Sequence, residues 1–386
     1  MSERPVTVML VAAEASGDNR GADLARALRR RLGPQVRFVG VGGERLRAEG
    51  VKSPFEISEL SILGLLEGLV ALPRVLQRAD ETADLAVRER PDIAVLIDSW
   101  GFTLRVAQRL RRRLPGLPLV KYVAPQVWAS RPGRARTTAR NYDHLLSIHT
   151  FDAPAFEREG LAVTFVGDAT LGLDFSGADA ERLRRSIGAP PDAPILLVAP
   201  GSRPGEISRV MPAFEDAVRQ IKTDRPDVQV VLPAASTVAE AVRTRVAGWP
   251  FRAHVLEGEA EKRDAMKAAT VALACSGTVT TELALAGCPM VVGYRLGPVT
   301  HALMKLLIRT PYVTLFNIAA QDFVAPELIQ DRCNGPALAA EVLRRLNDPE
   351  LRRSQIARQS AALIRMGRGG PDPSEAAADV VVNLLG

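Results

Sequence analysis

Four short stretches of this chain carry residue types suited to a phosphorylated ligand and a transferable proton. Ser276-Gly277-Thr278 follows an apolar run (270–275) and leads through Thr281-Glu282 into an Ala/Leu-rich helix that Gly287 ends. A helix N-terminus carries about half a positive charge and several unpaired N–H groups, so this turn suits a phosphate. Glu282, in the first turn, can accept hydrogen bonds from a ribose diol. An ordinary capped strand-to-helix turn is the structural alternative. Gly201-Ser202-Arg203 stands at another such turn, where backbone N–H groups can hold phosphate and the Arg203 guanidinium can complete the neutralisation. Taken alone, Arg203 reads equally as an exposed turn residue. The two turns together point to a nucleotide diphosphate.

Proton chemistry has its own candidates. Asp98 ends the apolar run 93–97, and a carboxylate at the carboxyl edge of a parallel sheet is well placed as a general base. The competing use is as N-cap of the helix that follows. Glu14 and Asp18 flank Ser16-Gly17 after the apolar run 6–12. A glycine there lets a ligand approach the backbone closely, although Asp18 also suits a cap. The four histidines (His144, His149, His254, His301) lack ligand spacing, and His144 and His254 lie in strand-like runs. There is no G-x-S-x-G elbow, no Gly-Lys-Ser/Thr phosphate loop and no Asp-x-Asp pair. The three cysteines have no metal-site spacing, so they read as buried thiols of a reducing compartment, and neither a metal nor a cofactor is expected.

These groups need a scaffold that delivers them to one edge. Apolar runs at 6–12, 36–41, 93–97, 118–122, 144–148 and 163–166 alternate with helical patterns at 20–32, 73–89 and 104–114. After a Gly/Pro-rich stretch the alternation resumes: strands at 195–199, 228–232, 254–256, 270–274 and 290–294, helices near 205–223, 237–247, 336–346 and 374–385. The pattern predicts an α/β protein with two Rossmann-like doubly wound domains that face a cleft. The expected division is 1–170 for a first domain, 171–194 for a linker, 195–350 for a second domain that carries both phosphate-compatible turns, and 351–386 for C-terminal helices.

At 386 residues, with 47% hydrophobic and 24% charged residues, the chain is long enough for two globular cores. Its net charge of +6 is carried by arginine, since only six lysines occur. Aromatic residues are 5%, too few for the stacking platforms of single-strand nucleic-acid binders, so no nucleic-acid partner is expected. The arginine excess is either a compositional bias or a face for phosphorylated ligands and anionic lipid. Residues 60–72 form the longest apolar segment, interrupted by Glu67, and no signal peptide or membrane span is visible. A cytoplasmic protein with at most peripheral membrane contact is expected. The apolar segment is either a buried core helix or an exposed patch for a lipid or membrane surface.

In this order, the motifs resemble those of the lipid-A-disaccharide synthase family, inverting glycosyltransferases of the two-domain B type (GT-B). The resemblance runs from Val6 to about Leu346. It rests on Ala13-Glu14-Ala15-Ser16-Gly17-Asp18, the glycines Gly40, Gly42 and Gly43, Leu63-Gly64-Leu65-Leu66-Glu67, Ile97-Asp98, and the stretch from Tyr122 to Trp128 with Arg131-Pro132-Gly133-Arg134. Further along are Gly201-Ser202-Arg203, Ser276-Gly277-Thr278, Glu282, Pro289 to Arg295, Pro311-Tyr312-Val313, Asn317 and Pro326-Glu327-Leu328.

The resemblance implies transfer of 2,3-diacylglucosamine from its UDP derivative to 2,3-diacylglucosamine 1-phosphate, giving a β-1,6 disaccharide phosphate and UDP, with inversion and without a metal. It implies Asp98 and Glu14 as catalytic. It implies Ser202, Arg203, Ser276, Gly277, Thr278, Glu282 and Asn317 around UDP. Ser16, Gly17, Asp18, Leu63, Leu66, Glu67, Tyr122, Trp128 and Arg131 would meet the acylated acceptor at the inner face of the cytoplasmic membrane. A homodimer is left open.

This sequence departs from the family pattern at Ala13, at Ser99-Trp100-Gly101-Phe102, at Ala124, Gln126 and Ser130, and at Asp168-Ala169. The departures concentrate in the acceptor half, whereas the donor half stays closer to pattern. A transferase using another glycolipid acceptor, a non-catalytic nucleotide-sugar or lipid binder, and a nucleotide-sugar epimerase are the competing readings.

Overall fold

The computed structural model describes residues 5–60, 65–127, 132–297, 301 and 310–386, with the backbone alone for 65–71. The chain divides into two compact units, residues 1–169 with 370–386, and residues 170–369.

The first unit runs β1 (Thr7–Ala12), α1 (Ala15–Leu32), β2 (Arg37–Val41), α2 (Glu44–Ala48), α3 (Leu65–Glu89), β3 (Ile93–Ile97), α4 (Trp100–Arg113), β4 (Leu119–Tyr122), α5 (Gly133–Ala139), β5 (His144–Ser147), α6 (Ala153–Glu157) and β6 (Ala162–Phe165). All six strands pair in parallel, in the order β2-β1-β3-β4-β5-β6. β1 and β3 are buried along their whole length, which is why their sequences read as unbroken apolar runs.

The second unit runs α7 (Ala180–Ile187), β7 (Ile195–Ala199), α8 (Pro204–Asp224), β8 (Gln229–Pro233), α9 (Ala239–Ala247), β9 (Ala253–Leu256), α10 (Glu259–Ala268), β10 (Val271–Cys275), α11 (Thr278–Leu285), β11 (Met290–Tyr294), α12 (Leu315–Ala320), β12 (Glu327–Ile329), α13 (Gly335–Asn347) and α14 (Pro349–Arg365). Its sheet is also parallel, ordered β12-β11-β10-β7-β8-β9. The chain then returns to the first unit with α15 (Pro373–Asn383), which buries Ala377, Ala378 and Val381 against the layer that contains Leu24 and Leu28 of α1.

The segment expected as a linker differs from that reading. Residues 171–194 contain α7, and Leu171, Leu183 and Ile187 are buried in the second unit's core with Ile195 and Leu197. Its Gly/Pro content marks turns at the ends of α7, where Asp179 caps the start and Gly188 closes the end with φ of 65°. The C-terminal helices also part company, since α14 belongs to the second unit and α15 to the first. Helices begin earlier than apolar periodicity suggests: α1 at Ala15 and α4 at Trp100, because their first turns, Ala15-Ser16-Gly17-Asp18 and Trp100-Gly101-Phe102-Thr103, include glycines and loop residues that break the aliphatic stripe.

Candidate functional site

In each sheet the chain winds first to one side of a starting strand and then to the other. The connections therefore part at one place, between β1 and β3 in the first unit and between β7 and β10 in the second. Loops at such switch points leave a crevice at the carboxyl ends of the strands, where ligands of open α/β sheets bind. All four sequence-predicted stretches occupy these positions.

At the first switch point, Asp98 and Ser99 both have left-handed backbones, with φ of 51° and 35°. The bend stops Asp98 from simply capping α4: its Oδ1 accepts the N–H of Ser99 at 2.9 Å, while the N-cap residue of α4 is Ser99. Oδ2 accepts the Ser16 hydroxyl at 3.2 Å and lies 3.9 Å from the Arg20 guanidinium, and the side chain remains 33% exposed. Glu14 crosses the same gap, accepting the Ser99 hydroxyl at 2.7 Å. Arg20 also reaches Asp168 at 3.5 Å, so that residue is tied to the same cluster. Trp100, another departure, lies beneath the Arg134 guanidinium at 4.3 Å from its ring centre.

Beneath this cluster sits Lys121, completely buried near the end of β4. Its ammonium donates to the carbonyl oxygen of Asp98 and, at 3.0 Å, to Thr103 Oγ1. Burial pushes its pKa down to about 7, against the opposing pull of the Asp98 and Glu14 carboxylates. Sequence reasoning passed over Lys121; its signal was a cation inside the apolar run Leu119-Val120-Lys121-Tyr122.

Other expected acceptor residues are placed differently. Asp18 is buried and turned away from the crevice; its carboxylate accepts the N–H groups of Gly43 (2.7 Å), Arg45 (2.9 Å) and Leu46 (3.1 Å) at the start of α2. A Cβ on Gly43 would stand 2.7 Å from that carboxylate, so this glycine serves the cap rather than a ligand. Gly17 packs α1 closely on the sheet, its notional Cβ 3.4 Å from Ala12 Cβ and 3.7 Å from Asp98 Cβ. Tyr122 is buried at the end of β4, beside a small pocket of about 270 Å³ that Arg20 and Asp372 also line. Leu63, Trp128 and Arg131 lie outside the described residues, as do the side chains of Leu66 and Glu67.

At the second switch point a pocket of about 530 Å³ is lined by Gly201, Ser202, Arg203, Ser276, Gly277, Thr278 and Glu282 among others. The two turns are not equivalent. Glu206, at the third position of α8, accepts the N–H groups of Ser202 (3.0 Å) and Arg203 (3.3 Å). Those donors, expected to hold phosphate, are therefore already engaged by a carboxylate. Gly201 is required for this arrangement, because its φ is 116° and a Cβ would fall 2.6 Å from Glu206 Oε2. The Arg203 side chain is 78% exposed and 3.6 Å from Glu206.

The start of α11 differs, having Gly277 as N-cap and no side-chain cap, with Thr278 and Val279 on the pocket wall. That end is open to an anion. Glu282 also lines the pocket, held by Lys262 at 2.7 Å.

Asn317 is fully buried and takes a structural part instead of lining the pocket. Its Oδ1 accepts the N–H groups of Val324 (2.8 Å) and Ala325 (3.1 Å), and its amide donates to Ala325 O (2.9 Å) and Glu327 Oε1 (2.8 Å). Glu327 in turn accepts the N–H groups of Val313 and Thr314 at 2.9 and 2.8 Å. Through Val313, whose carbonyl oxygen accepts the Ser276 hydroxyl at 3.4 Å, this buried network braces the phosphate-facing turn.

The sequence model of the lipid-A-disaccharide synthetase family matches residues 8–368. The chain is 44% identical to the lipid-A-disaccharide synthase of Rhodospirillum centenum, over 99% of this chain and 95% of that one.

The chain belongs to the lipid-A-disaccharide synthase family.

A second member, from Nitrobacter winogradskyi, is 42% identical over 98% of this chain and 95% of its own. Solved structures agree on architecture. The Staphylococcus aureus MnaA–UDP structure superposes with a TM-score of 0.63 at 14% identity, covering 98% of this chain and 95% of that one. Acinetobacter baumannii MurG superposes with a TM-score of 0.57 at 16% identity, covering 98% and 100%. At such identities the likeness shows the fold alone, here GT-B. As a lipid-A-disaccharide synthase family member, the protein is a glycosyltransferase acting on a UDP-sugar and a lipid. Among the described residues no helix is long and apolar enough to cross a membrane.

Two outcomes follow from the buried groups. Asn317→Ala orphans two buried N–H groups and removes a donor from Glu327, so urea denaturation should show a loss of about 3 kcal/mol. For Lys121, the folded pKa of about 7 lies below the ordinary lysine value near 10.4. Between these values the unfolded chain binds more protons, so the stabilising slope with pH is positive there and absent below pH 7. The stability of wild type relative to Lys121→Met should therefore rise from pH 7 to pH 8.5, and a gap independent of pH would contradict the depressed value.

Proposed function

We propose that the protein transfers 2,3-diacylglucosamine from UDP-2,3-diacylglucosamine to the 6-hydroxyl of 2,3-diacylglucosamine 1-phosphate. The products are the β-1,6 disaccharide 1-phosphate and UDP. The observation that supports this reading is that, in a member of the family, one switch point carries the Asp98 carboxylate and the other the uncapped start of α11.

In the reaction, Asp98 Oδ2 accepts the proton of the acceptor hydroxyl as its oxygen attacks the anomeric carbon. The bond from that carbon to the β-phosphate oxygen breaks on the opposite face, so the configuration inverts. The pair of electrons leaves on UDP. Ser16 and the backbone N–H of Ser99 orient the base, and Glu14 holds the Ser99 loop. The charge developing on the diphosphate is met by the open N-terminus of α11, with Arg203 and Lys262 alongside. Glu282 is the candidate partner for ribose. Positive charge supplied in this way makes a metal unnecessary, so chelation by EDTA should leave the rate unchanged. The apolar residues 60–72 and the excess of arginine support peripheral association with the inner face of the cytoplasmic membrane.

Purified protein given both diacylated substrates should yield the disaccharide phosphate by mass spectrometry. UDP release without disaccharide would indicate another acceptor, and a UDP-sugar altered only at one stereocentre would indicate an epimerase. UDP binding without any turnover would leave a binding protein.

Asp98→Asn should lower kcat by roughly 10²–10⁴-fold, the range for loss of a positioned base, while UDP affinity stays as in wild type. Turnover surviving in that variant would reduce Asp98 to a loop-forming role. Arg203→Ala should weaken UDP binding by about 1.5 kcal/mol, the low end for charge-assisted bonds because the side chain is exposed. Titration calorimetry with UDP reads this directly, and unchanged affinity would put the diphosphate elsewhere.

A further inference from the structure

The backbone at Asp98 and Ser99 is unfavourable on its own terms. Consecutive non-glycine residues at φ of 51° and 35° each lie in a region that L side chains avoid. Such a conformation persists only where its surroundings over-determine it. The surroundings here are specific. The Asp98 carbonyl is turned into the protein, where it accepts the Thr103 hydroxyl at 2.9 Å and the Lys121 ammonium. Thr103 and Lys121 are both fully buried and bonded to each other at 3.0 Å. Residues closing α4 over the bend use the next carbonyl, since Phe102 and Thr103 both donate to Ser99 O at 3.0 Å. The Asp98 carbonyl is thus kept for this buried pair.

A lysine is an expensive way to satisfy one carbonyl. Burying an ammonium costs several kcal/mol unless opposite charges compensate, and a hydroxyl or amide would serve the same carbonyl more cheaply. The compensating charges are those of Asp98 and Glu14, the two carboxylates at the mouth of the crevice. Lys121 is therefore linked to Asp98 twice, through the carbonyl that sets its backbone and through the field of its carboxylate.

We propose that Lys121 is a positioning residue for the general base, fixing the left-handed bend that holds Asp98 Oδ1 on the Ser99 N–H and turns Oδ2 toward the crevice. This rests on Asp98 being the base in the proposed transfer. Lys121 touches neither substrate in this scheme and acts only through Asp98.

The test is a double-mutant cycle between Lys121→Met and Asp98→Asn, read as kcat, as KM for each substrate, and as UDP affinity. Lys121→Met alone should lower kcat by about 100-fold, the scale of a reacting group displaced by an ångström, with KM and UDP affinity unchanged. In the Asp98→Asn background the same substitution should change the residual rate by less than about twofold, because two residues acting through one group are not additive. Equal factors in both backgrounds would make Lys121 a general structural support and overturn the proposal, as would a full rate in Lys121→Met. Lys121→Gln keeps a donor near the carbonyl and should retain more kcat than Lys121→Met. It also carries the same cycle if the methionine variant does not fold. Wild type run alongside keeps the two readings apart. No disaccharide from wild type overturns the proposed function, whereas wild-type turnover matched by Lys121→Met overturns only the role of Lys121.

Discussion

A parallel sheet that the chain winds in both directions from one strand must part its connections beside that strand, and the site in each unit depends on this constraint. From β1 the chain crosses to β2 on one side and then returns from β2 to β3 on the other; from β7 it runs to β8 and β9 on one side and then returns from β9 to β10 on the other. The connections diverge at the carboxyl end of the gap between those strands. The loops that border it are the ones whose polar side chains stay available to a ligand. Glu14 and Ser16 follow β1, Asp98 follows β3, Arg203 follows β7 and Ser276 follows β10. The chemistry is dispersed along the sequence because the strands it hangs from are adjacent in space and distant in the chain.

Helix ends then sort these loops by what they can still bind. Several helices satisfy their first N–H groups with their own side chains, as Asp179, Asn334, Asp348 and Asp372 do for α7, α13, α14 and α15. At the switch points, α1, α4 and α11 have no side-chain cap. α8 is the exception there, because Glu206 already supplies an anion to its first turn. Two glycine turns that look alike in sequence therefore differ electrostatically. One presents a carboxylate beside the pocket and the other presents bare N–H groups. In the proposed transfer it is the open end of α11 that meets the diphosphate.

Much of this was legible in the chain. Continuous apolar runs marked β1, β3, β7 and β10 because strands buried on both faces need no alternation, and the loop that follows each run lies at a switch point. What escaped was decided by partners far away in sequence. Asp18 read as a site residue because it stands beside Ser16-Gly17 in a strand-to-helix loop, and Asn317 because the family resemblance implied it. Their partners, the N–H groups of α2 and of Val324–Ala325, exist only in the folded backbone. The Gly/Pro-rich stretch 171–194 read as a linker because turn residues dominate it. Leu183 and Ile187 do have helical i, i+4 spacing, but a single such pair among so many turn residues is too weak a periodicity to announce α7. The apolar segment 60–72 was visible by composition, which says nothing about what covers it.

Lys121 and the Asp98 bend show why the first switch point was only partly legible. Each is unfavourable alone: left-handed residues without glycine cost of order 1–3 kcal/mol apiece, and a buried ammonium costs more. Together they offset one another, since the bend supplies the carbonyl that the ammonium needs and the ammonium holds the carbonyl that the bend exposes. Propensity and periodicity register each residue separately and would discard both as misfits. A local rule broken by two residues 23 positions apart, on neighbouring strands and around one carboxylate, is the pattern expected where stability is given up for the placement of a reacting group.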